Sequence, residues 1–466
     1  MSIATAPSPQ KLTTFQKAQY ALELFLPLAI MLIPTNETFT PQLRLFLAST
    51  LCGILCLAFE NIPQVAVSIT MPIFWVFFGI APPAVVFAPW TQYIPWMMLS
   101  GLVLANILER TGLLARIAYY CILKTGATYN GILIGIAVAG FLLTVFVGHM
   151  IVPMTALCYG ICIALDLKMC KETAGIMLVG AMSCLLPGIF VFTAPLVPLG
   201  VASGVTGPLP LLGFFEAWWI NLPNILFFVV MVVISIFVFK PSKPINGKAY
   251  FEEKLKGLGK ISREEWKTLG LVTIFFLFII TQKIHGYDVG WGLAFIPMLA
   301  YIPGIGSGTK QDLAKINYGF VLFISACMGI GAVAGSLGLG KIITEIAMPI
   351  LEGQGFYTFF LLVWVVLVLC NFLMTPLAMH AAFSVPFATL ALGMNINPMA
   401  LYYVMLNAVD QIIFPYEYAL YLLSFAFGII RLKDFMKIMG IKMAVNFVIV
   451  FGLLIPWWSF VGFIAK

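Results

Sequence analysis

Two of the chain's three histidines lie in apolar segments far apart in the sequence. His149 is in "LLTVFVGHMIVPMTAL" and His380 in "NFLMTPLAMHAAFSVPF", and a proline follows each. A neutral imidazole offers one hydrogen-bond donor, and a protonated one offers two plus a charge. Such a group at membrane depth suits a proton carrier or a donor to an anion, with packing as the plainer role. Asp410 and Glu417 flank Pro415 in "LNAVDQIIFPYEYALYLLSF". Carboxylates inside an apolar run are costly and read by default as a cation site or proton relay. The alternative is a pair satisfied by Asn407, Gln411 and backbone groups that the proline frees. The hydroxyls of Thr144, Thr375, Ser183 and Thr193 are candidate substrate ligands, although hydroxyls in helices also bond their own backbone. Asn371 joins them because a buried amide must find partners. No spacing suggests a metal centre, a covalently bound cofactor or a catalytic set.

Composition says what must hold these groups. Hydrophobic residues make up 62% of the chain and charged residues 9%. Soluble domains carry about 25% charged residues. Continuous apolar runs recur along the chain, each long enough to cross a bilayer as a helix, which implies an all-α polytopic membrane protein. A β-barrel would alternate instead. The net charge of +7 comes from basic residues between the apolar runs, as the positive-inside rule requires, and does not imply nucleic acid. The nine cysteines are mostly inside apolar runs and read as packing residues. The start, "MSIATAPSPQKLTTFQKAQ", shows no cleavage pattern, so the first helix is expected to stay as an anchor. There is no G-x-x-x-x-G-K-[ST] loop to drive transport with ATP.

Spans are expected at about 20–34, 45–59, 65–90, 95–115, 173–199, 211–239, 267–283, 289–304, 317–340, 399–426 and 440–463. Two long apolar segments, about 127–165 and 356–395, remain. The first has Arg110, Arg116 and Lys124 before it and Lys168 and Lys171 after it. Basic residues on both flanks place both ends in the cytoplasm, so the segment must enter and return on one side. Breaks at Gly148 and Pro153 favour a re-entrant helical hairpin, which membranes tolerate only inside protein or beside a polar cavity. A second hairpin, about 371–395, is expected to open outward. With a cytoplasmic N-terminus and an outer C-terminus, all but four of the 25 lysines and arginines fall inside; the four are Arg44, Lys283, Lys341 and Lys466. Lys442, at the start of the last span, is counted on the cytoplasmic side, and no lysine or arginine is expected at a span centre. The polar stretch 240–266 reads as a cytoplasmic linker between 45–239 and 267–466, with 1–44 a leading segment and first helix.

The two halves look alike. "LSGLVLANILERTGLLARIAYY" parallels "FISACMGIGAVAGSLGLGKIIT". Gly112 pairs with Gly338, His149 with His380, Pro153 with Pro386 and Pro187 with Pro415, at a nearly constant separation. Hairpins opening to opposite sides make these inverted-topology repeats, the build of secondary transporters with a midplane site.

The order of span, "TGL" turn, amphipathic helix, hairpin, broken span and midpoint loop resembles the divalent anion/sodium symporter family of the ion transporter superfamily. The resemblance runs from about residue 45 to the end. It implies eleven spans plus two hairpins, a homodimer in the cell inner membrane, and an elevator-type mechanism. It also implies a dicarboxylate, citrate or sulfate substrate, usually with Na⁺. The family's Ser-Asn-Thr motifs, which hold substrate carboxylates beside the sodium sites, are missing; the tips read "LTVFVGHM" and "MTPLAMHA". The expectation is therefore a secondary transporter of a small organic anion, coupled to Na⁺ or H⁺ or working as an exchanger. Its substrate ligands would be His149, His380, Thr144, Thr375, Asn371, Ser183 and Thr193, and its coupling residues Asp410, Glu417, Asn407 and Gln411. A cation/proton antiporter of the same superfamily is the alternative. An intramembrane transferase with a histidine base is disfavoured, because no metal motif or catalytic loop accompanies it.

Overall fold

The computed structural model describes residues 14–465 apart from 60–61, 147–150, 192, 208, 340–341, 343–344, 346–348, 350–352 and 373–375. Of the residues singled out above, His149, Thr375, Gly148, Lys341 and Lys466 lie outside the described residues. Among the described residues the chain is helical, with no strand beyond isolated bridges.

The first half runs α1 Thr14–Met31, α2 Pro41–Phe59, α3 Gln64–Phe77, α4 Tyr93–Thr111, α5 Leu113–Lys124, α6 Tyr129–Phe146, α7 Ile151–Ala164, α8 Lys171–Leu185, α9 Leu196–Thr206, α10 Phe214–Ile220 and α11 Leu222–Val238. The linker carries α12 Lys248–Gly257. The second half continues with α13 Arg263–Ile280, α14 Val289–Phe295, α15 Lys310–Ala314, α16 Tyr318–Ser336, α17 Phe356–Cys370, α18 Pro376–Gly393, α19 Pro398–Val409, α20 Ala419–Ala426 and α21 Leu432–Ile449.

Among the described residues, four stretches are long and apolar enough to cross a membrane: Tyr129–Phe146, Lys171–Phe190, Tyr318–Ser336 and Leu432–Phe460. Two bent pairs add to these, α4 with α5 at 67° and α10 with α11 at 68°. Other expected spans are chains of shorter apolar helices. The bends have local causes. Gly112, at φ 81°, closes α4 in the left-handed region and releases α5 in a new direction. Its sequence counterpart Gly338 has φ 71° and comes just after Leu337, the residue that caps α16. Pro187 and Pro415 each sit in a 3-10 turn, Leu186–Phe190 and Pro415–Glu417, because proline removes the N–H that would continue an α-helix.

One expected boundary moves. The last span, expected from about 440, begins at Leu432 and continues to Phe460. Lys442 is therefore not at the start of this span but several turns into it. It sits about 15 Å along the helix at the usual 1.5 Å rise. Its side chain is fully buried.

The basic segments meet at one end of the helical array. Arg110 bonds Asp312 at 2.8 Å, and Lys267 bonds the Gly306 carbonyl at 3.2 Å. Gly247 N donates to the Ala127 carbonyl, Ser242 N to Glu172, and the Thr173 hydroxyl to the Ile429 carbonyl. Thus the start of α6 and the far end of α7, where Leu165 lies against Gly247, face the same linker. Elsewhere an aromatic cluster gathers a different set of ends. The Trp457 and Trp458 indoles donate to the Trp219 and Ile220 carbonyls, both at 2.9 Å. Asn397 N, just past α18, donates to the Ile464 carbonyl.

Lipid tails give helices no hydrophobic reason to associate, so close packing must hold them. α16 supplies the central wall, packing on α3 and α4 on one side and on α9 and α18 on the other. At the α9–α16 crossing, Gly331 faces the Val201 carbonyl so closely that a methyl group there would overlap it. Gly204 and Gly335 meet in the same seam. Many large apolar side chains point outward, Phe25, Phe77, Phe237 and Leu369 among them, as a lipid-facing surface requires.

Candidate functional site

The first-half site is built at the tip of α6. Thr144 is buried and its hydroxyl donates to the Cys184 carbonyl of α8 at 3.3 Å. That approach is possible because Gly140, one turn earlier, leaves room for Ser183. The Ser183 hydroxyl donates to the Gly180 carbonyl at 2.8 Å, so its hydrogen is used within its own helix. Thr144 and the half-buried Thr193 both line a cavity of about 120 Å³ between the α6 tip, α4, α13 and the turn before α9. The remaining walls are apolar, with Phe146, Phe275 and Leu196 among them. Thr144 and Thr193 are therefore brought together at one opening, while Ser183 stands behind them.

The second-half site is a buried polar network. Asn371, in the turn after α17, donates to the Ala408 carbonyl at 3.2 Å and the Gln411 carbonyl at 2.8 Å. Both carbonyls lie where α19 ends, the Ala408 one also accepting from Gln411 N, and the amide ties that break to the start of the second helix pair. Gln411 donates to the Asn407 carbonyl at 2.6 Å, and Asn407 to the Tyr403 carbonyl at 2.8 Å. Asn446 of α21 donates to Asn407 at 2.9 Å and accepts from the Trp364 indole at 3.1 Å. Among the described residues of this half, Asn371 Oδ1, Gln411 Oε1, His380 Nδ1 and Ser384 Oγ have no side-chain partner, and neither do the hydroxyls of Tyr402, Tyr403 and Tyr421. Buried polar atoms are rarely left bare, so these are the atoms that a ligand, ion or water would satisfy.

The two carboxylates do different work. Glu417 accepts from Ile413 N and Phe414 N, both at 3.0 Å, and so caps the 3-10 turn at the break. Asp410, the residue that ends α19, receives Lys442. The Lys442 ammonium donates to Asp410 Oδ2 at 2.8 Å and also to the Asp410 main-chain carbonyl. The same ammonium lies 5.1 Å from the centre of the Tyr421 ring. Lys442 is the residue that sequence reasoning missed. The positive-inside rule treats lysines as markers of loops, and "RLKDFMKIMGIK" reads as one basic run. The available signal was Lys442 and Asn446 at i, i+4, one polar stripe beyond the charged first turns of the helix.

The halves interleave. The Thr155 hydroxyl of α7 lies 3.2 Å from the Ser424 hydroxyl of α20. α9 packs along α18 and touches α19. Each hairpin region thus adjoins the broken span of the other half.

A search of curated proteins returned no match. A family model, the sodium:sulfate symporter transmembrane region, matches residues 15–464, nearly the whole chain. The bent and broken helices and the apolar surface agree with that match, and the chain belongs to the sodium:sulfate symporter family, the divalent anion/sodium symporters.

Proposed function

We propose that this chain, a membrane secondary transporter of anions by its family, moves a small organic anion of the di- or tricarboxylate kind. The movement is elevator-type: α6–α9 and α17–α21 shift as a unit against a wall of α2–α4, α13, α14 and α16. The observation that carries the reading is the pair of spans broken by 3-10 turns at Pro187 and Pro415, each beside an apolar helix pair. Residues 45–239 and 267–466 would be inverted repeats, with hairpins at about 127–165 and 371–395. The chain would form a homodimer in the inner membrane, with its N-terminus in the cytoplasm and its C-terminus outside.

The ligand set follows from the bare and cavity-lining atoms. Thr144 and Thr193 offer hydroxyls at the first-half cavity. His380 and Ser384 offer unpartnered polar atoms in the second half. His149 and Thr375 are assigned by their positions in the repeats. The unpartnered oxygens of Asn371 and Gln411 are acceptors, which suit a hydrogen-bond donor such as water or a substrate hydroxyl rather than an anion's oxygens. An antiporter would need a carboxylate open to its ion. Asp410 is held by Lys442 and Glu417 by two backbone N–H groups, which favours the anion reading.

The test is uptake by purified protein in proteoliposomes, screening labelled succinate, citrate, 2-oxoglutarate and sulfate against Na⁺, pH and internal-anion gradients. Saturable uptake of a carboxylate supports the reading. Cation exchange without any anion flux would establish the antiporter instead.

A further inference from the structure

The Lys442–Asp410 pair has no part in holding an anion directly, yet it sits at the break of a span. Asp410 is the C-terminal residue of α19, so its carbonyl belongs to the negative end of a half-helix. Broken-helix carbonyls together with a carboxylate are the oxygen set that binds a monovalent cation in membrane transporters. Here that oxygen set already faces a positive charge. The Lys442 ammonium contacts both the carboxylate and the carbonyl of Asp410, with the Tyr421 ring on a further side.

We propose that Lys442 is a tethered cation that occupies this locus permanently and does there what a diffusible coupling ion would otherwise do. This rests on the transporter reading above and specifies its coupling. Three further observations support it. First, the pair is next to the substrate-side atoms, because Asn371 donates to the carbonyl of Gln411, the neighbour of Asp410. Second, α21 reaches the break through two side chains, Lys442 and Asn446, so the ammonium belongs to the network that shapes the break. Third, a buried ion pair is a poor device for stability alone, since apolar residues of equal volume commonly do as well. With the charge built in, this locus is complete before any ion arrives. Transport then has no Na⁺ requirement and works by anion exchange or with H⁺.

The experiment compares wild type with Lys442→Ala, which opens space beside Asp410, and Lys442→Met, which fills it without charge. Melting temperature is read in Na⁺, methylammonium and choline; uptake is read in the same salts. Wild type is expected to melt and transport alike in all three. Lys442→Ala is expected to melt several degrees lower in choline, to lose uptake about tenfold or more, and to recover in Na⁺ or methylammonium. Lys442→Met is expected to show the loss without recovery. Wild-type uptake that demands Na⁺, or a Lys442→Ala variant that neither salt restores, would overturn the proposal. Should Lys442→Ala not survive extraction, the Na⁺ response of the wild type decides alone. Melting requires no substrate, so a failure to find any transported anion leaves this test standing and counts only against the transporter reading.

Discussion

At the residue scale, the two acidic groups of the break are distinguishable by what each would leave behind. Asp410→Asn leaves a fully buried ammonium facing an amide and a carbonyl. Breaking a buried pair from one side costs about 3–5 kcal/mol. Glu417→Gln keeps one acceptor oxygen for the two N–H groups of Ile413 and Phe414, so the expected cost is about 1 kcal/mol, the scale of one hydrogen bond or cap. Melting of the two variants in the same detergent checks the order, and an equal or larger loss in Glu417→Gln contradicts it. Asp410 was legible in the sequence as a costly residue beside a proline, but Asn407 and Gln411, expected to satisfy it, donate instead to the Tyr403 and Asn407 carbonyls. Its partner was not legible. Lys442 is 32 positions away and on a helix whose start the basic run conceals. Sequence spacing tells which side chains share a helix face, but not which face meets the break of another span.

At the element scale, two joints are exposed to single substitutions. The first is the α9–α16 seam. A methyl group on Gly331 would meet the Val201 carbonyl at 1.4 Å, and backbone has no rotamer by which to withdraw. Gly331→Ala is expected to cost at least about 1–3 kcal/mol, the usual range for overpacking. Gly160→Ala is the control, since nothing lies within 4 Å of its added carbon. There alanine's better helix propensity gives no loss or a slight gain. Comparable melting of both variants would show that the seam does not set the helix separation. The second joint is the Arg116 clamp. Arg116 of α5 bonds Glu265 at 2.6 Å and donates to the Leu258 and Gly259 carbonyls, fixing the linker against the bent α4–α5 pair. The Arg116 guanidinium holds the Glu265 carboxyl below its ordinary value of 4.5. A depressed carboxylate contributes stability that is full above the ordinary value and is lost as pH falls through the depressed one. Acid below about pH 4.5 should therefore loosen the linker in the wild type. Limited proteolysis of residues 248–262 at graded pH checks this. Arg116→Ala should be cleaved readily at neutral pH and show little further acid response, whereas a wild-type acid response retained in that variant would remove the clamp from the account.

At the scale of the whole molecule, composition made the class visible and glycine and proline positions made the breaks visible. Gly112 and Gly338 both take positive φ, and Pro187 and Pro415 both sit in 3-10 turns. The cross-half packing was not visible, because contacts such as Thr155 with Ser424 depend on how the repeats interlock. The arrangement of helix ends leads to the last prediction. Lys124, Lys168 and the linker belong to one end through the Ala127, Glu172 and Thr173 bonds, while Asn397 and Ile464 are joined to each other by Asn397 N and the Ile464 carbonyl. If the first end is cytoplasmic, as its lysines and arginines demand, single cysteines at 124 and 168 should both be shielded from an impermeant maleimide applied to right-side-out cells. Cysteines at 395 and 463 should both react. The native cysteines, all free and none strongly exposed, would first be replaced to give a silent background. Labelling of 124 and 168 from opposite sides would mean that the segment between them crosses the membrane an odd number of times. The proposed inverted repeat would then be lost, and with it the proposed meeting of the two broken spans on which the transport reading depends.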